Sequence, residues 1–185
     1  MVIKVQYLAR IVSLHKPHVR AIIRGKEVKA VEFGAKVNML QVDGINFIEY
    51  ISFDNFNEGT RLKSTVEMQK RYFGKCYQMG ADAIYATNEN RTYCSKNNIA
   101  TSFAQKGKEG KDKDQKSQMR SLLGKVRSTV LEGSFGNEKN HYMMDKIKAK
   151  TEQTERVCIF FSLLTSNAKQ IAKRIEQRSA ERQAA

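Results

Sequence analysis

The chain has 185 residues, 41% of them apolar, enough to bury one core, so a single globular domain is expected. Thirty-three Lys and Arg against nineteen Asp and Glu leave a net charge of +14, which draws a protein to phosphate-rich polymers and makes nucleic acid the leading partner class. Three cysteines without a CxxC pair argue against a disulfide framework or a tetrathiolate zinc site, and the densest apolar run, residues 157–164, falls well short of the roughly 20 residues of a membrane span.

The basic surplus is spread along the chain, with 15 basic and 9 acidic groups in residues 1–100 and 18 and 10 in the rest. A detached basic tail does not explain it. The start, MVIKVQYLAR, lacks a signal-peptide cleavage pattern, so a soluble protein in a reducing cytoplasm is expected.

In chain order, residues 1–32 hold two mixed apolar and basic stretches around Pro17 and end in the basic run 24–29, which reads as an irregular arm with short strands. Residues 33–42 and 45–53 are rich in β-branched and aromatic residues and are separated by Asp43-Gly44, a strong hairpin signal. Leu62, Thr65, Val66, Gln69, Tyr72 and Phe73 recur at helical spacing before Gly74, a C-cap candidate. Residues 76–86 read as a short strand with a polar end, Thr87 or Asn88 as the cap of a helix carrying Arg91 and Tyr93, and 99–104 as a further strand.

Residues 105–118, QKGKEGKDKDQKSQ, contain no apolar side chain to offset the entropy of ordering, so a basic mobile loop is expected. Met119, Leu122, Leu123, Val126 and Val130 then mark one amphipathic helix, and Val157, Phe160, Phe161, Leu164, Ala168, Ile171 and Ile175 a longer one, both stripes read as core. The domain is therefore assigned to 33–178 and a short tail to 179–185. The series describes an α/β fold, a mixed sheet with helices.

Asp82 stands where an apolar strand gives way to polar sequence, so its carboxylate can project from a strand's C-terminal end into a crevice. Glu132, Gly136 and Lys139 are spaced i, i+4 and i+7 and share one face if a helix runs through VLEGSFGNEKNHY. Gly133 and Gly136 would each cost about 1 kcal/mol inside that helix, which suggests close approach by a partner helix or a ligand backbone. His15, His18 and His141 show no metal-ligand spacing.

Residues 81–85 (ADAIY) and 90–94 (NRTYC) resemble the second catalytic block of bacterial insertion-sequence DDE transposases. LEGSFGNEKNHY, with Glu132 followed by Lys139 after six residues, is similar to their third block. VSLHKPHVRAIIRGKE, VEFGAKV and the FNEG at 56–59 also look like segments of that family, so the resemblance covers roughly residues 10–175 in the family's order.

The resemblance implies an RNase H-like domain in which three acidic side chains hold two Mg²⁺ or Mn²⁺ ions for DNA strand cleavage and strand transfer at insertion-sequence ends. By motif position Asp82 and Glu132 would be two of the three, and Lys139 would hold a phosphate. Arg127, Lys125 and Arg120 rank below Lys139 as DNA contacts. Double-stranded DNA is the implied partner, with a homodimer in the DNA complex.

The family's first aspartate lies on a central strand upstream of these segments, and residues 1–10 contain no acidic residue, while Asp43 and Asp54 occupy hairpin positions. The RNase H-like fold is thus expected to be incomplete, leaving two strands without their neighbour. A truncated or decayed reading frame is the preferred explanation, and an inactive nucleic-acid-binding remnant the alternative function. Replacement of the strand by residues 2–8, VIKVQYL, is the second structural option.

Overall fold

The computed structural model describes residues 13–23, 31–107, 112–141, 144 and 147–184. Residues 2–8 and the basic run 24–29 lie outside the described residues.

Two short strands of the arm, β1 (Ala21–Ile23) and β2 (Val31–Phe33), pair antiparallel. The hairpin follows as β3 (Lys36–Val42) and β4 (Ile45–Ser52), running in register from Lys36↔Ser52 to Val42↔Ile45 with a bulge between Asn38 and Met39. Asp43 and Gly44 both take positive φ, 49° and 70°, the conformation that suits the twist of a two-residue hairpin turn.

Helix α1 (Leu62–Phe73) begins after Asn57 accepts a hydrogen bond from the Gly59 N–H, and it ends at Gly74, whose φ of 82° turns its own N–H onto the Lys70 carbonyl. Leu62 and Val66 are buried with Cys76, Cys94, Ile99 and Phe103, which forms the main apolar core. Thr87 caps α2 (Asn88–Lys96) by accepting from the Asn90 N–H.

Strands β5 (Gln78–Met79) and β6 (Ala100–Thr101) pair parallel beside this core. They are shorter than the 76–86 and 99–104 stretches suggested, because the chain turns at Asp82, whose carbonyl accepts from the Tyr85 N–H. The fold is mixed α/β, and its described strands fall into three pairs.

Two expectations are corrected. The stretch read as a loop through 118 is helical from Lys113, since α3 spans Lys113–Val126. Lys, Gln and Asp sustain a solvated helix turn once the apolar residues downstream nucleate it, and Lys116 pairs with Asp112 one turn back.

The apolar stripes are not core. Leu123 alone of the α3 stripe is buried, and Val157, Phe160, Phe161, Leu164, Ile171 and Ile175 of α5 (Glu152–Ala184) all stand exposed. The face of α5 that packs is the i±4 row of Glu155, Ile159 and Leu163, continued by Asn167, whose side chain exchanges two hydrogen bonds with the Asn46 backbone at the hairpin turn. Glu155 is buried against Lys16 at 2.8 Å and His18 at 3.3 Å, so polar satisfaction chose this face over the more apolar one.

Candidate active site

Asp82 sits three residues beyond the end of β5, at the start of a tight turn over Ala83–Tyr85. Its surroundings are held from three sides. The Ser102 hydroxyl accepts from the Ala81 N–H and donates to the Ala81 carbonyl, and Asn90 donates to the carbonyls of both Gly59 and Tyr85. The Tyr85 hydroxyl donates to the Asn38 side chain at the β3 bulge. Burial pushes the Tyr85 phenol well above its ordinary range, reinforced by the charges of Glu58, Asp82 and Glu49, so it stays protonated as a donor.

Gly80 sets the approach of α3. A Cβ there would lie 2.9 Å from the Leu123 carbonyl oxygen and 3.5 Å from the Arg127 Cβ, so only glycine lets the helix backbone come this close to the strand end. Arg127 then reaches back and donates from one nitrogen to Asp82 at 2.6 Å and to Glu132 at 2.8 Å.

The second contact depends on a change of helix type. Residues i and i+5 of an ordinary α-helix point about 140° apart, at 3.6 residues per turn. Between α3 and α4 (Glu132–His141) the backbone opens into a π-turn over Arg127–Leu131, in which the Glu132 N–H bonds to the Arg127 carbonyl. The wider turn swings Glu132 onto the side of Arg127, and such turns recur at functional sites.

Helix α4 runs through residues 132–141, so Glu132, Gly136 and Lys139 do belong to one helix, with the Lys139 side chain outside what is described. Of the close approach expected at Gly133 and Gly136, the partner-helix form is not met among the described residues, since a Cβ at either would meet nothing within 4 Å. Arg127 is engaged with the two carboxylates, Arg120 donates to Gln105, and Lys125 is exposed on α3. His18 packs edge-on against Phe53 and pairs with Glu155, a structural role. Asp43 lies in the hairpin turn, and Asp54 follows the end of β4.

Beside Asp82 opens a groove of about 510 Å³. It is lined by residues 37–42 of β3 and residues 75–82, with Leu62, Val66 and Gln69 of α1, Leu123 and Val126 of α3, and Arg127. Gly80, Asn38, Tyr85 and Gln69 are the site residues that sequence reading missed. Two signals were available: an asparagine at an apolar strand position, and a glycine two residues before the candidate aspartate.

Asp82 and Glu132 are both exposed and offer oxygen donors, the type that a hard divalent cation prefers. Among the described residues no group of three or more His, Cys, Asp or Glu side chains gathers around a common point. The donor type fits a metal centre while the donor number falls short of a two-ion one.

The arrangement defines a mixed α/β domain in which two acidic side chains, one just beyond a strand end and one from a helix far along the chain, share the guanidinium of Arg127. Residues 79–169 match the model of the transposase DDE domain, and the mixed α/β fold is consistent with a partial RNase H-like transposase domain. Asp82, Arg127, Glu132 and Lys139 all fall inside the match. No curated protein and no solved structure matches the chain.

Proposed function

We propose that this chain acts in DNA transposition as part of a metal-dependent DDE transposase, with Asp82 and Glu132 as two of its acidic ligands for Mg²⁺ or Mn²⁺. The observation that carries the reading is that Arg127 gathers these two carboxylates from positions 50 residues apart. A single cation already sits between them as a guanidinium, which is the electrostatic arrangement that a divalent ion would exploit. DNA at the insertion-sequence ends and the target is the partner in this reading. Lys139, Lys125 and Arg120 make phosphate contacts, and the bound chains form a homodimer. The metal, when bound, supplies activation of a nucleophile and stabilisation of the leaving oxygen.

The shortage of a third carboxylate among the described residues favours a second reading, a DNA-binding remnant that cuts nothing. One experiment separates the two. Purified full-length chain is incubated with labelled insertion-end DNA and Mg²⁺ or Mn²⁺. Cleavage or joining that Asp82→Asn and Glu132→Gln each abolish, without loss of DNA binding, supports the first reading. Salt-sensitive binding with no cleavage supports the second.

A further inference from the structure

We infer that the exposed apolar face of α5 is a dimer seam, on which a second copy of this chain lays the same helix antiparallel. Val157, Phe161, Leu164, Ala168, Ile171 and Ile175 all stand exposed on this helix of 33 residues. Their spacing alternates four and three throughout, a repeat of 3.5 residues. A face resting on a globular core needs only a broad apolar stripe, whereas this alternation keeps one narrow line of side chains turned toward a partner helix.

Packing within the chain uses a different face. The buried row of Glu155, Ile159, Leu163 and Asn167 lies about 140° round the helix from the seam, at 3.6 residues per turn. Arg156 and Arg174 reach the hairpin carbonyls of Ile51 and Asp43 from the same side as that row. These bonds hold α5 against the hairpin, so a partner meets a helix already formed and association carries no cost of helix nucleation.

Side-chain size and charge set the direction. Laid antiparallel about a twofold axis level with Ser166, Val157 faces Ile175 of the second copy, Phe161 faces Ile171, and Leu164 faces Ala168. Each layer then sets a larger side chain against a smaller one and the seam fills evenly. Parallel helices would stack Phe161 on Phe161 and leave a gap at Ala168. They would also bring Arg178 and Arg182, the next two positions of the repeat, against their own copies. The antiparallel arrangement instead puts Arg178 level with the first turn of the other helix, which carries Glu152. A second copy is the occupant because the seam is complementary to itself under that rotation. This seam requires neither DNA nor metal, holds under either reading of the activity, and gives the homodimer a surface.

Sedimentation of the full-length chain over a range of concentrations tests it, with nucleic acid removed and in about 0.5 M NaCl to screen charge-bridged association. A reversible dimer is expected. Phe161→Glu and, separately, Ile171→Glu should each raise the dissociation constant about tenfold or more. Helix content by circular dichroism should stay unchanged in both, since both side chains stand exposed.

Thiol cross-linking reads the direction. Cys158 is exposed, while Cys76 and Cys94 are buried. In the antiparallel dimer the two copies of Cys158 stand about 21 Å apart along the axis, each beside Ala172 of the other chain. A short bismaleimide should therefore join Ala172→Cys chains into a covalent dimer and leave the unmodified chain single.

A monomer at every concentration overturns the proposal, the result expected if a different polypeptide or another part of this chain covers the face. A dimer that survives both glutamate substitutions overturns it as well. So does cross-linking of the unmodified chain at the rate of Ala172→Cys, which is the signature of parallel helices.

Discussion

Arg127 donates to Asp82 at 2.6 Å across 45 positions of the chain, and this bond joins the strand end before α2 to the helix that carries Glu132. The carboxylates are more than half exposed, so the bridge contributes little to stability, about 1 kcal/mol or less. Its consequence is electrostatic. A guanidinium between two carboxylates competes with any other cation for the same oxygens.

Arg127→Ala should therefore leave the urea unfolding midpoint nearly unchanged and raise the affinity for Mn²⁺. Titration followed by the paramagnetic signal of the free ion would show tighter binding by several fold, on the order of 1 kcal/mol at partly exposed sites. Asp82→Asn in the same background should remove the gain. Equal affinity with and without the guanidinium would mean that Arg127 does not guard the pair.

Gly80→Ala tests how the two halves of the site are set. Its Cβ would stand 2.9 Å from the Leu123 carbonyl, a backbone atom that cannot rotate away, so α3 must shift outward. The expected cost is about 1–3 kcal/mol in urea unfolding. Gly124→Ala on the same helix meets nothing within 4 Å and should stabilise by about 1 kcal/mol through helix propensity. Similar values for the two variants would contradict the close approach.

Glu155→Ala probes the anchorage of α5. Glu155 is buried and accepts from Lys16, while Lys16 also donates to the Ile147 carbonyl and His18 packs edge-on against Phe53. Removing the carboxylate leaves two partly covered cationic or polar groups facing no acid, at a cost of about 2–3 kcal/mol in thermal or urea unfolding. Phe160→Ser on the exposed face of the same helix should cost less than that, about 1 kcal/mol or less, since its ring is half exposed.

The contrast between these two faces of α5 shows where sequence reading succeeds and fails. The Asp43-Gly44 turn, the Gly74 cap and the Thr87 cap were legible because each depends on a local backbone conformation that one residue type satisfies. The packed face of α5 was not, since its row is Glu155, Ile159, Leu163 and Asn167, and ranking by apolarity selects the phenylalanines instead. Asp82 and Glu132 are candidates by motif position alone. Their link through Arg127 was not legible, because at ordinary helical periodicity Arg127 and Glu132 point apart and only the π-turn brings them together.

The thiols give the last prediction. Cys76 and Cys94 are buried in the core beside Leu62 and Val66, while Cys158 is exposed. Burial pushes both core thiols up, and the nearby Cys76 adds to the effect at Cys94. A thiol reagent at pH 8 should label one cysteine rapidly in the native chain and three in denaturant. Because the folded thiols hold their protons to higher pH than the unfolded ones, the stability that they contribute is fully present below the ordinary thiol value of 9.0. It is lost as pH rises from there through the folded values. Urea unfolding midpoints measured from pH 7 to 10 should fall at the alkaline end, and Cys94→Ala should lessen that slope while lowering the plateau. A flat profile up to pH 10 would mean that the core thiols ionise as readily folded as unfolded.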